Sequence, residues 1–150
     1  METRLIRVLR RLRRETTGQS LVEFAIVAVM LILLVVGICE FGRAWNVYQI
    51  ITNAAREGAR LAALPAGFTT DAEVQNRVST YMATGSLNPA QATIAIGGSG
   101  VNGGTGTQVT VSVGYPYQFV YLGPVIRLID AGATAGAAVT IQTQVVMRNE

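Results

Sequence analysis

The fold of this chain is decided by residues 18–42, which read GQSLVEFAIVAVMLILLVVGICEFG. Sixteen of them, residues 24–39, carry no charge and no strongly polar side chain. A helix needs roughly 20 mostly apolar residues to span a bilayer, and only a helix lets a single segment satisfy its own backbone in lipid. Residues 21–42 reach that length when Glu23 and Glu40 lie near the two membrane faces. The stretch therefore predicts one membrane-spanning helix.

The basic charge of the chain is concentrated before this helix. Residues 1–18 contain six arginines and two glutamates, a net charge of +4, whereas residues 19–150 contain six arginines and seven acidic residues, a net charge of −1. Positive segments beside a membrane helix stay in the cytoplasm. We therefore expect the N-terminus in the cytoplasm, Arg14 at the inner membrane face and the C-terminal domain outside. This topology accounts for the charges without nucleic acid, so we expect no nucleic-acid partner.

A second group of residues marks the outer membrane face. Glu40 and Arg43 follow the apolar run, and Trp45 and Tyr48 fit the aromatic belt that forms at membrane–water interfaces. Residues 1–17 have two interpretations, an amphipathic helix lying on lipid or a solvated leader recognised by its charge, and we prefer the second.

The N-terminus is open to several interpretations. A cleaved secretory signal is disfavoured because the apolar run is long and no convincing pair of small residues follows it. A lipoprotein signal is disfavoured because Ile38, not a small residue, precedes Cys39. An uncleaved anchor explains the length and the charges, but it leaves Glu23 unexplained. Ionisable residues inside a membrane segment are costly and by default indicate a function, although Glu23 could also extend to the headgroups and do nothing.

The stretch as a whole resembles the type III signal of the type IV pilin superfamily, with a basic leader, a glycine, and a carboxylate at the fifth position after it. The resemblance implies that a prepilin peptidase cuts between Gly18 and Gln19 on the cytoplasmic side. Cleavage creates an α-amino group near Glu23, and a carboxylate in lipid is strongly favoured to find a cation. The amine of one subunit could then pair with Glu23 of its neighbour and fix the axial register. The first residue after the cut is Gln19 rather than an aromatic residue, so the resemblance does not extend to a methylated N-terminus.

Three further motifs sharpen the resemblance: Glu-Phe-Gly-Arg at 40–43, Ala-Ala-Arg-Glu-Gly-Ala-Arg at 54–60 and the ending at 138–150. Together with residues 18–25 they are similar to the TadE-like pseudopilins of tight-adherence pilus systems. The resemblance implies a minor pilin used in assembly or initiation of an adhesive pilus. Its implied partners are the prepilin peptidase, other pilin and pseudopilin subunits, the assembly platform in the inner membrane and the lipid bilayer. The implied location is the inner membrane, with the cell-surface pilus as the destination after assembly.

The rest of the chain predicts an α+β fold, in which a long membrane helix extends into a small antiparallel sheet domain, as in pilins. We expect a removed leader at 1–18, a helix over 19–64 and an extracytoplasmic domain over 65–150. In the outer part of the helix, spacings of three or four predict that one face carries Trp45, Tyr48, Ile51, Ala55, Ala59 and Ala62. A second helix is predicted over 71–84, because Thr70 and Glu73 form a capping box. Strands are predicted at 93–96, 109–113 and 139–147.

Two apparent binding motifs are given structural interpretations. Gly98, Gly100 and Gly103 match GxGxxG, but a strand pattern follows where a dinucleotide site needs a helix, so we expect residues 97–106 to be a hairpin loop. Residues 119–122 form either an exposed apolar contact patch or part of the core, and core packing is favoured. The chain has no His and no Lys, so the commonest general bases and metal ligand sets are missing. We therefore expect no enzyme, no cofactor and no metal. The alternative function is that of an uncleaved, membrane-anchored binding module.

Overall fold

The structure is a computed structural model that describes residues 2–121, 123–124 and 138–149, with only the backbone described for residues 2–17 and 102. Helix α1 runs over Glu2–Ala62 and helix α2 over Asp71–Thr84. Strands β1, β2 and β3 run over Thr93–Gly98, Gln108–Tyr117 and Val139–Arg148. The α+β prediction is confirmed, with the long helix first and a small antiparallel sheet after it. Two compact units divide the chain, residues 1–39 and residues 40–150.

The first unit consists of helix α1 up to residue 39. Its helix begins at Glu2 and not near Gln19, because no glycine or proline interrupts the Arg- and Leu-rich leader before Gly18. In residues 18–39 most side chains are exposed, and only Ala28, Val36 and Gly37 are partly buried. Within the described residues this is the one helix long and apolar enough to cross a membrane, and the apolar window is entirely unburied.

The second unit is built on a three-stranded antiparallel sheet in the order β1-β2-β3. In the register, Val111 of the central strand lies between Ile96 and Val145. Alternate residues of β2 face the core, where Val109, Val111 and Val113 are buried, as expected for a strand with one covered face. The three predicted strands are all present, and each is longer than its pattern indicated. β1 takes up Gly97 and Gly98 from the predicted loop.

The core lies between this sheet, the outer part of α1 and α2. Helix α1 contributes Val47, Ile51 and several alanines, and α2 contributes Val74, Val78 and Met82. The predicted shared face of α1 is right from Ile51 to Ala62, where it is buried, but Trp45 and Tyr48 do not lie on it and are 52% and 37% exposed. Each step of three residues turns a helix by only about 300°, so two such steps from Trp45 to Ile51 leave the face by about 120°. The buried stripe instead passes through Val47 and Glu40.

Two local predictions are confirmed in detail. The Thr70 hydroxyl accepts a hydrogen bond from the Glu73 N–H at 3.3 Å, and the Thr70 N–H donates to Glu73 Oε2 at 2.8 Å, which completes the capping box. Residues 99–107 connect β1 to β2 through a 3₁₀ turn at Gly100–Asn102, and a strand follows as predicted. Gly98 has φ of +73°, and a Cβ there would collide with the Gln108 carbonyl group, so this position requires glycine.

Candidate functional site

The predicted cleavage site lies inside helix α1, on an open surface. Gly18 and Gln19 are both exposed, and no atom lies within 4 Å of the position that a Cβ of Gly18 would take. The two residues are neighbours in sequence within one continuous helix. A peptidase can therefore reach this peptide bond, although the backbone around it is helical.

The Glu23 carboxylate shares a helix face with Gln19, the residue that follows the predicted cleavage site. Gln19, Val22, Glu23 and Ile26 line one shallow concavity, which follows from their spacings of three and four. Glu23 is exposed and lies one turn beyond Gln19, about 6 Å along the helix axis. This geometry allows an amine at residue 19 and a carboxylate at residue 23 to present opposite charges on one face of the helix.

Glu40 occupies a different environment from Glu23, because it is buried and its carboxylate is enclosed by hydrogen-bond donors. Its exposed fraction is 1%. Oε1 accepts from the Tyr117 hydroxyl at 2.6 Å and from the Val120 N–H at 3.2 Å, and Oε2 accepts from the Tyr121 N–H at 2.8 Å. A buried charge requires such partners. The carboxylate therefore fastens the segment that leaves β2 to the first turn of α1 in this unit. We name this arrangement the Glu40 latch.

Arg43 completes the latch on the side facing solvent. Its Nη1 lies 3.3 Å from Glu40 Oε1, and its guanidinium lies 5.9 Å from the Tyr117 ring centre and 5.8 Å from that of Tyr121. Both distances fit cation–π contacts. Burial, reinforced by the hydrogen bond to the Glu40 carboxylate, raises the pKa of the Tyr117 phenol to about 12. Tyr117 therefore remains a neutral donor at physiological pH.

The sequence placed Glu40 and Arg43 at the outer membrane face but did not connect them to residues 117–121. The contacts span 77 to 81 residues, beyond the reach of any local pattern. One signal was available, namely a carboxylate at the end of an apolar run with arginine three residues later. The prediction that residues 119–122 pack in the core is wrong at Val120 and Tyr121, which are 48% and 52% exposed. The Glu40 carboxylate binds their backbone N–H groups and leaves their side chains outside, whereas Phe119 packs partly against the core. Leu122 and the side chain of Arg14 lie outside the described part of the chain.

The two aromatic residues predicted for the membrane interface lie on the outside of α1. Trp45 is flanked by Phe41, with ring centres 6.2 Å apart, and by Tyr48, with ring centres 5.6 Å apart. All three side chains are exposed. The result is an aromatic row along the helix directly after the apolar run.

Comparison with known families gives a match that covers the apolar helix and the start of the second unit. The sequence model of the family described as TadE-like protein matches residues 18–60. These residues include Gly18, Gln19, Glu23, Glu40 and Arg43. The comparisons with curated proteins and with solved structures found no match.

Proposed function

Because residues 18–60 carry the TadE-like family segment, which relates this chain to the Tad pilus, we propose that it is a pseudopilin or minor pilin that a prepilin peptidase processes. The observation that carries the proposal is the extent of the match. It begins at the glycine of the proposed cleavage site and includes the carboxylate and the whole exposed apolar run. In this proposal the protein is not an enzyme, and it acts by packing its helix against others.

Processing would convert the N-terminus from a basic leader to a single amine. The peptidase would cut after Gly18 and remove six arginines, which hold the leader at the cytoplasmic face. The subunit would then be anchored in the inner membrane by residues 21–42 alone, with its sheet domain outside. The exposure of Gly18 and Gln19 supports this step.

Assembly would use the exposed apolar side chains and Glu23. A helix that is apolar all round must be covered by lipid or by other helices. In a bundle of pilin helices, Glu23 of one subunit would pair with the new N-terminal amine of another. A buried ion pair of this kind acts more on register than on stability. The partners would be other pilin subunits and the assembly platform, and the assembled pilus would serve attachment to surfaces.

The test of processing is the intact mass of the full chain from membranes of cells that contain the cognate prepilin peptidase. Wild type should lose residues 1–18, and Gly18→Leu should retain them. Gly37→Leu is the matched control, because Gly37 lies in the same helix and no atom is within 4 Å of its Cβ position; this variant should be cut normally. A full-length species in wild type would overturn the proposal and favour the uncleaved, membrane-anchored binding module.

The test of assembly compares two Glu→Gln variants in one helix. Glu23→Gln should be cleaved normally but should reduce the amount of pilus recovered from the cell surface by about tenfold or more, a loss that corresponds to roughly 1.4 kcal/mol. Glu57→Gln is the control, since Glu57 pairs with Arg60 and Arg77 within its own chain. Equal pilus yields in the two variants would contradict the role of Glu23.

A further inference from the structure

The surface around the Glu40 latch exposes large apolar and aromatic side chains at both of the chain segments that meet there. On α1, Phe41 is 68% exposed and Trp45 is 52% exposed; on the segment after β2, Val120 is 48% and Tyr121 is 52% exposed. Large apolar side chains that remain exposed on both segments mark surfaces that contact a partner or a membrane. We name these four residues the aromatic collar.

The latch fixes the height of the second segment relative to α1. Both backbone N–H groups of Val120 and Tyr121 donate to the Glu40 carboxylate, and Glu40 immediately follows Cys39, the last residue of the apolar run. Residues 120 and 121 are therefore held at the level where the membrane-spanning segment ends. A loop without this tether would be free to take another position.

The composition of the collar identifies what covers it. Tryptophan and tyrosine are enriched at the headgroup level of bilayers because their rings have an apolar body and a polar edge, and arginine extends its charge toward phosphate. Arg43, which is half-exposed in the latch, supplies that charge between the two segments. A protein partner would not require the collar to coincide with the end of the apolar run, whereas a bilayer does.

We propose that residues 120 and 121 are a second membrane contact, which enters the headgroup region of the outer leaflet as Trp45 does, and that Glu40 is the positioning residue that holds them there. The occupant is the phospholipid surface itself. The sheet domain is then attached to the membrane at two points. The inference does not depend on cleavage after Gly18, since it holds equally for an uncleaved anchor.

The test uses tryptophan fluorescence, because Trp45 is the only tryptophan in the chain. The full-length protein is placed in phosphatidylcholine vesicles as Trp45→Phe/Tyr121→Trp, and its quenching by lipids brominated at a shallow acyl position is compared with quenching by acrylamide in water. The matched control is Trp45→Phe/Phe68→Trp, because Phe68 is 77% exposed in the loop before α2, away from the collar.

We expect the reporter at residue 121 to be quenched by the shallow brominated lipid about as strongly as Trp45 in wild type. The reporter at residue 68 should respond to acrylamide alone. The proposal is overturned if residue 121 behaves like residue 68. It is also overturned if residue 121 is shielded from both quenchers, because a protein, such as a second copy of this chain, would then cover the collar.

The positioning role of Glu40 has its own readout. Adding Glu40→Gln to the residue 121 reporter should lower its lipid quenching about twofold or more, while Trp45 in the Glu40→Gln single variant stays quenched as in wild type. Val120→Asp, which leaves the latch intact, should lower the quenching at residue 121 in the same way. If Glu40→Gln changes neither reporter, Glu40 does not position the loop; if it changes both, its effect is a general loss of structure.

Discussion

Residues 18–39 and residues 40–62 belong to one helix, yet their side chains have opposite surroundings. In the first region the large aliphatic side chains are exposed, with Leu31 at 58% and Ile32 at 62%. In the second region the inward side chains are buried, with Ile51 and Ala55 at 0%. Both regions carry apolar side chains, but only the second interleaves them with several charged residues, among them Arg43, Arg56 and Arg60.

The difference lies in the size and placement of the apolar residues. The first region has large aliphatic residues on all sides, which is the pattern of a helix that must be surrounded by lipid or by other helices. The second region has small residues in a single stripe, which allows the sheet and α2 to approach closely. The two carboxylates follow the same division, because Glu23 is exposed whereas Glu40 is enclosed within its own domain.

The largest effect should come from truncating the same residue type in each region. Ile51→Ala should lower the free energy of unfolding of the sheet domain by about 2–5 kcal/mol, because it leaves a cavity in a packed core. Ile32→Ala should change it by less than about 0.5 kcal/mol. Thermal unfolding followed by near-UV circular dichroism in lipid nanodiscs measures both. Equal losses would mean that residue 32 also packs within the chain.

Adding a methyl group should have opposite effects on stability at a packed and at an open position of α1. In Gly58→Ala the new Cβ would collide with Val78 Cγ2, and we expect overpacking to cost about 1–3 kcal/mol. In Gly42→Ala nothing lies within 4 Å, so the variant should gain about 0.5–1 kcal/mol from better helix propensity. Denaturant titrations of the two variants give the sign of the change in unfolding free energy. A Gly58→Ala protein more stable than wild type would contradict the close approach of α1 and α2.

Alkaline pH should act on the latch in the second region. The folded pKa of Tyr117 is about 12 against an ordinary value of 10.0, so the unfolded chain releases the proton first. The stability that the neutral phenol provides is complete below about pH 10 and is lost as the pH rises toward 12, on the order of 2 kcal/mol. The unfolding free energy of wild type should therefore fall more steeply over this range than that of Tyr117→Phe. Parallel profiles would show that the phenol is not held buried and neutral beside Glu40.

The smallest effect should come from the N-terminal cap of α2, because α2 packs against residues 40–62 of α1 and not against residues 18–39. Thr70→Ala removes the acceptor for the Glu73 N–H and should cost about 1 kcal/mol. The hydrogen bonds from Thr70 and Thr69 lower the pKa of Glu73, so its stabilising contribution is present above the unfolded pKa and is lost as the pH falls through the folded one. Amide hydrogen exchange in α2 measures the change. Exchange in residues 24–39 should be unaffected, and Thr80→Ala should behave like wild type.

The sequence could predict the elements whose determinants are local. The capping box placed α2 correctly from Asp71 to Thr84, and alternation located β2 and β3. The face of α1 was predicted only in part, because Trp45 and Tyr48 were placed on one face with Ile51, whereas the buried face in fact passes through Val47. Such a choice depends on which face the sheet covers, and no local pattern carries that information.

The candidate site also has a part that local sequence could predict and a part that it could not. The cleavage residues and Glu23 could be proposed from one continuous stretch, because their chemistry depends on spacing along a single helix. The Glu40 latch could not, because its donors come from residues 117–121 and two of them are backbone N–H groups, which every residue carries. A buried carboxylate bound by backbone groups leaves almost no trace in sequence.

The comparison between the two regions is tested most directly by labelling single cysteines with a membrane-impermeant maleimide. In a Cys39→Ser background, Phe68→Cys and Leu31→Cys are treated on intact spheroplasts and again after the membranes are dissolved in detergent. We predict that Phe68→Cys is labelled in the intact spheroplasts and that Leu31→Cys is labelled only after detergent. Labelling of Leu31→Cys before detergent would contradict the membrane-spanning assignment, and failure of Phe68→Cys to react until then would contradict an extracytoplasmic domain.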